Sequence, residues 1–393
     1  MRRPTLALLL GCLLLVAGVS ALDGYAYYQT IEYAATDKDV YQQDIVIHRT
    51  TGTAYNETSG GLETWHIYVG DHCREDYGDI RFTNSTGAEL AYYLWPGYDA
   101  ESARVCVRLV GADRLGAVTV WYGNPAATTT SDGPATYLFF DDYSDPSTLD
   151  NYTERWYATW SPFEYKEITN GQLHLGWGAT GSGSALLFAN TPLTGNCRIE
   201  SKFTATGTMT EYRHQKEIGL TTDTTPGYDS SGSSAIEFPG FGGIGIAMPN
   251  DNGQTAPSGS EGHAEYTLGT NVRYPGVWAQ DVDGSTYRSE IWIDYLLVRT
   301  YSATPPAALT FSGEQEKLQP FPGCSNDPTD PDADGLYEDI NGNARWDFQD
   351  IILFFQHLAW CEANQPVSLF DWNSNGRCDF DDVFRLWSNG GMI

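Results

Sequence analysis

The feature that most constrains this chain is an acidic loop pattern that occurs twice near the carboxyl end. Oxygen-bearing side chains stand at positions 1, 3, 5, 9 and 12 of a twelve-residue loop, and the pattern returns 32 residues later. Side chains at alternate positions of a tightly turning loop converge on one point, so the sequence predicts two cages of oxygen atoms. These residues are Asp339, Asn341, Asn343, Asp347 and Asp350 in the first loop, and Asp371, Asn373, Asn375, Asp379 and Asp382 in the second.

Cages of this kind have the EF-hand loop arrangement and suit a hard cation, so we expect one Ca2+ ion in each. The backbone carbonyl of position 7, at Arg345 and at Arg377, would add a further oxygen ligand to each site. Position 6 differs between the two loops. Because glycine adopts a left-handed turn at little cost, Ala344 predicts weaker binding in the first loop than Gly376 in the second.

An apolar stripe with helical spacing follows each loop and predicts an exit helix. The stripes comprise Ile351, Phe354, Phe355 and Leu358 after the first loop, and Val383, Leu386 and Trp387 after the second. The alternative is a solvated acidic tail with Asn-Gly turns. That alternative does not explain why the loop and the stripe are duplicated together.

A third acidic pattern precedes the first loop and overlaps it. Asp330, Asp332 and Asp334 are followed by Gly335 and Glu338, as at the start of a further calcium loop, so a third ion is an open alternative here. Residues 327–393 hold 13 acidic residues against 3 basic ones. These carboxylates repel one another without counter-ions, so we expect metal binding to supply much of the folding free energy.

Two such loops with only the exit helix of an EF-hand, about 32 residues apart, resemble dockerin modules over residues 330–393. The resemblance implies docking to a cohesin-like partner, and an envelope protein is the alternative partner. Dockerins carry partner-recognition residues at loop positions 10 and 11. Those positions hold Phe348-Gln349 and Phe380-Asp381 here, in place of the usual small hydroxyl residues.

The amino-terminal segment predicts export. Arg2 and Arg3 precede an apolar stretch from Leu6 to Val19, and small residues follow at a cleavage site, so residues 1–21 read as a signal peptide. An uncleaved anchor is the alternative. We expect a secreted or cell-surface protein without membrane insertion after cleavage.

Export makes disulfides and glycans credible. Six cysteines remain after the leader, and their neighbourhood favours pairing Cys73 with Cys106 and Cys361 with Cys378. Three N-x-S/T sequons predict glycosylation at Asn56, Asn84 and Asn151.

Residues 22–137 alternate apolar and polar side chains with period two, as in the strand from Arg104 to Leu109. This stretch resembles the DUF2341 family, a family of exported proteins of unknown function. The resemblance implies a β-sandwich-like module without assigned chemistry. It is carried by Asp79-Ile80-Arg81-Phe82, by Leu90 to Trp95, by Val118 to Pro125 and by Phe139 to Tyr143.

Residues 138–313 predict a second β module, and residues 314–329 a linker. Ile291 to Val298 is apolar on both faces, as in a central strand of packed sheets. The stretches Phe139 to Tyr143 and Trp292 to Arg299 resemble the concanavalin-like lectin and glucanase sandwiches. The predicted fold class is therefore mainly β, with two β-sandwich or jelly-roll modules and a small α-helical calcium module of tandem EF-hand type.

The net charge and the motifs of the chain restrict the functions that it can have. The chain has 51 acidic and 22 basic residues, which argues against a basic face for nucleic acid or anionic lipid. Trp156, Trp160 and Trp177 are candidates for stacking on sugar rings. We found no glucanase Glu-x-Asp-x-x-Glu motif, so we expect a non-catalytic protein that binds calcium for docking, and glycans or envelope through its sandwiches. A polysaccharide-degrading glycoside hydrolase is the alternative.

Overall fold

The computed structural model describes residues 22, 24–34, 38–110, 115–156, 161–178, 183–206, 216–221, 246–247, 261–281, 289–332 and 334–389. The predicted leader, residues 1–21, and Trp160 lie outside this part of the chain. Strands make up 45% of the structure and helices 13%, so the predicted mainly β fold class is confirmed. Among the described residues, no helix combines the length and the apolar character needed to cross a membrane.

The first sandwich consists of two sheets that enclose one apolar core. Sheet I has the strand order β20-β1-β8-β5, with β21 also on β1, and sheet II has the order β3-β4-β2-β7-β6. Alternation along β7 points Val105, Val107 and Leu109 into this core. The strands are β1 Tyr27–Ala34, β2 Val40–His48, β3 Tyr55–Ser59, β4 Leu62–Tyr68, β5 Arg81–Asn84, β6 Tyr92–Leu94, β7 Ser102–Val110, β8 Leu115–Tyr122, β20 Ala308–Phe311 and β21 Gln315–Glu316.

Two segments from beyond the second sandwich complete sheet I. Strand β20 pairs antiparallel with β1, with Ile31 opposite Phe311, and β21 pairs with the start of β1. These residues fall in the ranges predicted for the second module and the linker. The structure instead attaches them to the first sandwich, because β1 would otherwise be an edge with unpaired backbone groups. Phe321, also in the predicted linker, is buried in the carboxyl-terminal core.

The second sandwich consists of sheets III and IV. Sheet III has the order β11-β12-β19-β14-β17, with β9 also on β19, and sheet IV has the order β10-β13-β18-β15-β16. The short helix α1 (Gly133–Thr136) and a 3₁₀ helix (Pro146–Asn151) lie near its start. The strands are β9 Phe139–Asp141, β10 Tyr152–Trp156, β11 Tyr165–Thr169, β12 Gln172–Trp177, β13 Gly183–Ala189, β14 Asn196–Thr206, β15 Lys216–Thr221, β16 Ile246–Ala247, β17 Glu261–Thr267, β18 Tyr274–Asp281 and β19 Ser289–Thr300.

The two sandwiches pack against each other through β19. Its inward residues, such as Ile291, belong to the core of the second sandwich, whereas Tyr295 and Leu297 face Trp95 in a separate cluster between the sandwiches. This arrangement accounts for the apolar character on both faces of the strand. Next to the cluster, Arg299 forms an ion pair of 3.0 Å with Asp44 of β2, and both side chains are almost completely buried.

The carboxyl-terminal module contains three short helices around a small core. They are α2 (Phe348–Gln356), α3 (Leu358–Asn364) and α4 (Phe380–Asn389), and a 3₁₀ helix (Val367–Leu369) precedes the second acidic loop. Helices α2 and α4 follow the two loops, as expected. Their buried residues include Ile351, Phe354, Val383 and Leu386, and Phe370 packs among them.

Candidate functional site

The two acidic loops have the same hydrogen-bonded scaffold. At position 1, the carboxylate of Asp339 accepts from the backbone N–H of Asn343 at 3.0 Å and of Ala344 at 2.7 Å. In the second loop, Asp371 accepts from the N–H of Asn375 at 3.0 Å and of Gly376 at 2.6 Å. These bonds hold position 1 at the centre of each loop and curl the backbone around it.

Position 12 closes each loop onto its exit helix. Asp350 accepts from the N–H of Asn341 at 3.1 Å and of Asp347 at 2.8 Å. Asp382 makes the equivalent bonds, at 3.0 Å to the N–H of Asn373 and at 2.9 Å to that of Asp379. Asp347 also caps α2, so the residues that form the cage also start the helix.

Three carboxylates of these loops are buried without basic partners among the described residues. Asp339, Asp350 and Asp382 are each 0% exposed, and none forms an ion pair with Lys, Arg or His among the described residues. Burial raises the pKa of Asp350 and of Asp382. The amide oxygen of Asn373, at position 3, is also buried and has no hydrogen-bond partner among the described residues. Oxygen atoms of this kind are suitable ligands for a hard cation.

All ten predicted ligand side chains therefore lie in two loops of equivalent shape. Both loops are left-handed at position 4, where φ is 64° for Gly342 and 60° for Ser374, and at position 6, where φ is 63° for Ala344 and 82° for Gly376. The residues that fit Ca2+ would supply carboxylate, amide and backbone oxygens, with the carbonyls of Arg345 and Arg377 at position 7.

The upstream acidic residues also come together. Asp330, Asp332, Asp334 and Glu338 each offer one carboxylate oxygen, and these four oxygens lie within 4.8 Å of one another. Burial, followed by the charges of the three aspartates, raises the pKa of Glu338 to about 7.

The exit helices carry exposed apolar side chains that were not predicted to form a surface. Phe355 and Trp387 were placed in the inward stripes, but they are 53% and 49% exposed. The ring of Phe355 lies 5.9 Å from that of Phe380, which joins α2 to α4. We call this surface the aromatic face; it comprises Phe348, Ile352 and Phe355 of α2 and Phe380, Phe384 and Trp387 of α4. Each residue of the aromatic face on α2 has a counterpart on α4 that lies 32 residues later in the sequence. This repetition was the sequence signal that could have identified the face.

Only one of the two expected cysteine pairs is brought together. The sulfur atoms of Cys361 and Cys378 lie 3.0 Å apart in the core of the carboxyl-terminal module. Cys73 and Cys106 are not paired, because β7 points Cys106 away from the core that holds Cys73 and towards the second sandwich.

The three sequon asparagines lie on surface turns or strands. Asn56 and Asn151 are exposed, and Asn84 is half-buried at the end of β5. Among the tryptophans proposed for sugar stacking, Trp156 is 44% exposed, whereas Trp177 is 1% exposed and belongs to the core.

The half of sheet III that the first sandwich leaves uncovered carries a ladder of rings. Tyr165, His174 and Trp292 stack across β11, β12 and β19, with ring centroids 4.9 Å and 4.7 Å apart. Glu167 and Glu290 flank His174, at 3.3 Å from its Nδ1 and 3.1 Å from its Nε2. Rings beside hydrogen-bonding carboxylates are the combination that a sugar-binding surface uses.

An open cleft of about 600 Å³ lies on the first sandwich. Tyr27 and His72 stack there with a centroid distance of 4.0 Å, and Cys73 donates its S–H to Asp79 at 3.3 Å. Burial raises the pKa of Cys73 well above its ordinary value, so the thiol stays protonated at neutral pH. The cleft therefore offers no activated thiol nucleophile.

Residues 76–161 match the DUF2341 domain, a domain of unknown function. The match contains the residues on which the resemblance was based, and it continues beyond the boundary drawn at residue 137. No curated protein matches the sequence.

Two solved structures show distant likeness. One comes from work on endo-acting O-glycanases that prominent members of the human gut microbiota express to initiate mucin breakdown. It is 12% identical, the alignment covers 42% of this chain and 100% of that chain, and the TM-score is 0.29. The other is a variant of the family 29 carbohydrate-binding module CBM29-2, at 16% identity, 39% and 87% coverage and a TM-score of 0.19. At these TM-scores neither likeness carries an argument about the present chain.

Proposed function

We propose that this is an exported modular protein whose carboxyl-terminal module binds two Ca2+ ions and, once loaded, docks to a partner protein. The observation that carries the proposal is the pair of equivalent loops that bury Asp339, Asp350 and Asp382 without a basic partner. A buried carboxylate is costly unless it is paired or coordinates a metal. Two Ca2+ ions would supply the missing positive charge and would be bound by carboxylate, amide and backbone oxygens of these loops.

Calcium would also fix the geometry of the helices. Asp350 and Asp382 close the cages from the first turn of α2 and α4, so an ion bound to them ties each helix to its loop. In the absence of calcium, repulsion among the carboxylates opposes the compact loop. Calcium binding and the ordering of the helix pair would therefore be coupled.

The aromatic face is the proposed docking surface, and a cohesin-like protein is the proposed occupant. The face is apolar and duplicated, and it lies on a module with 13 acidic and 3 basic residues. A matching partner would present an apolar surface with a neutral or basic rim. Phe348 and Phe380, at position 10 of the two loops, lie on this face, each more than half exposed.

Calcium titration of the full chain tests the ion sites. Isothermal titration should show calcium uptake, and Asp371→Ala should remove the ion of the second loop. Asp381→Asn removes an exposed carboxylate of the same helix that accepts none of the loop bonds, so it should leave the uptake unchanged. Absence of any calcium uptake by the unaltered protein would refute the proposal.

Binding to a panel of purified cohesin domains, with and without EGTA, tests the docking surface. We expect calcium-dependent binding to at least one domain and its loss in Phe380→Ser. Leu309→Ser changes a side chain that is 60% exposed on the first sandwich, and should have no effect. If no cohesin domain binds the calcium-loaded protein, the assignment of the partner is wrong.

The ring ladder on sheet III supports glycan binding as a second function. The cross-strand neighbour of Trp292 on the far side is Thr204 of β14, a small exposed residue. A sugar ring could stack there while Asp294, whose side chain is 30% exposed, accepts a hydrogen bond from one of its hydroxyl groups.

Affinity electrophoresis in gels with soluble polysaccharides tests this second function. At least one polysaccharide should retard the protein, and Trp292→Ala should abolish the retardation. Tyr98→Ala changes an aromatic side chain that is 41% exposed on the first sandwich, outside the ladder, and is the control. Release of reducing ends from the retained polysaccharide would favour the glycoside hydrolase alternative, and absence of retardation in every gel would contradict glycan binding.

A further inference from the structure

We infer that Asp330, Asp332, Asp334 and Glu338 form a third Ca2+ site, upstream of the two loops that the proposed function requires. The first observation is geometric. Each residue contributes a carboxylate oxygen, and the four oxygens lie within 4.8 Å of one another. Ca2+ binds oxygen at about 2.3–2.6 Å, so ligands on opposite sides of one ion stand roughly 4.6–5.2 Å apart. All four oxygens can therefore contact a single ion.

The second observation is the state of Glu338. Its side chain is 4% exposed, and its Oε2 is buried with no hydrogen-bond partner among the described residues. Glu338 is nevertheless directed at the three aspartates, since one of its oxygens belongs to the cluster. A buried carboxylate beside three other carboxylates is unfavourable unless a cation lies between them.

The backbone holds the cluster in the shape of the other two loops. Asp330 accepts from the N–H of Asp334 at 3.3 Å and of Gly335 at 2.8 Å, as position 1 does in the other loops. A short bridge joins Thr329 to Asp339, which places the start of this loop beside the start of the next. Glu338 and Asp339 are adjacent in the chain, yet each belongs to a different cage.

The ligand set of the site favours Ca2+ over Mg2+. Mg2+ requires near-ideal octahedral geometry and usually keeps several waters, so it is seldom bound by a cage of protein carboxylates. Four carboxylates also match the high negative charge of tight calcium sites.

Equilibrium dialysis of the full chain tests this inference, because it counts the Ca2+ ions bound by each chain. The free Ca2+ concentration is set to about 1 mM, the Kd of the weakest calcium sites in extracellular modules. We expect three ions per unaltered chain and two in Asp332→Asn, which changes an exposed residue that belongs to no other cage. Glu338→Gln should also take up two ions. Glu362→Gln, an exposed carboxylate on α3, is the control and should take up three.

The outcomes separate this site from the proposed function. Two ions in the unaltered protein and the same two in Asp332→Asn would overturn the third site and leave the two-loop proposal intact, whereas no ions would overturn both. Three ions in Asp332→Asn would also overturn the third site. Because Asp332 is exposed, its variant gives the answer even if Glu338→Gln fails to fold.

Discussion

At the residue scale, position 6 decides how well each loop fits its turn. Ala344 holds a φ of 63°, in the left-handed region that glycine adopts freely and other residues adopt at a cost of about 1–2 kcal/mol. Gly376 fills the same position in the second loop, with a φ of 82°. A Cβ atom added to Gly376 would meet no atom within 4 Å, so a substitution there probes the backbone alone.

Ala344→Gly should therefore stabilise the calcium-loaded module by about 1 kcal/mol, since part of the gain is lost to the freer unfolded chain. Gly376→Ala should destabilise it by a similar amount. Thermal unfolding of the two variants in saturating calcium, beside the unaltered protein, measures both effects. Shifts of the same sign in the two variants would contradict the equivalence of the loops.

A second effect at this scale concerns Asp44, which bonds Arg299 and Arg104 where the sandwiches meet. Burial opposes the charge of Asp44, but the two guanidinium groups outweigh it and hold its pKa well below the ordinary 3.8. The folded state therefore binds this proton less readily than the unfolded state. The stabilisation from Asp44 is complete above about pH 4 and is lost as the pH falls towards its folded pKa.

Asp44→Ala should lower the free energy of unfolding at pH 7 by about 3–5 kcal/mol, because it leaves Arg299 buried without its main partner. The variant should also lose less stability than the unaltered protein between pH 5 and pH 2. Urea unfolding at several pH values measures both. Glu75→Ala is the control, since Glu75 is 79% exposed and its 3.9 Å pair with Arg49 contributes roughly 0–1 kcal/mol.

At the element scale, β20 and β21 show how the chain returns from the second sandwich to pair with β1 of the first. Strand β20 covers one side of β1, whose other side is paired with β8. A chain that ends at residue 303 would leave that side of β1 unpaired, whereas a chain that ends at residue 317 would keep β20 and β21.

The shorter chain should therefore unfold at a lower temperature and aggregate more readily. Differential scanning calorimetry and light scattering on the two chains test this expectation. Equal melting temperatures and equal solubility would show that β20 and β21 contribute nothing to the first sandwich.

Local features could be predicted from the sequence, and non-local ones could not. All proposed ligands of one loop lie within twelve residues, so their spacing alone was informative, and the exit helices followed from the stripes. The pairing of β20 with β1 joins segments nearly 280 residues apart, which no local pattern indicates. Cys73 and Cys106 are near each other in sequence, but alternate residues of β7 point to opposite faces, so Cys106 points away from the core that holds Cys73. The apolar residues Val105 and Val107 already indicated which face of β7 lies in that core.

The aromatic face shows a related limit. Phe355 and Trp387 satisfy the helical period, so they were assigned inward with Phe354 and Leu386. A stripe does not show how much of its width a neighbouring helix covers. In a module this small, α2 and α4 bury only one flank of each stripe and leave the other flank exposed.

At the scale of the whole molecule, two sandwiches that share a buried interface precede a module whose stability we propose to depend on bound ions. The sandwiches have large apolar cores and a buried interface, whereas the module has few core residues and an excess of acidic ones. Calcium should therefore act on one part of the protein and leave the rest unchanged.

Amide hydrogen exchange of the full chain, with calcium and with EGTA, tests this claim most directly. At a free calcium concentration of about 100 times the Kd, protection in residues 339–350, 371–382 and helices α2 and α4 should rise about a hundredfold over EGTA. The strands of both sandwiches should exchange alike in the two conditions. Equal protection of the carboxyl-terminal module with and without calcium would contradict the account.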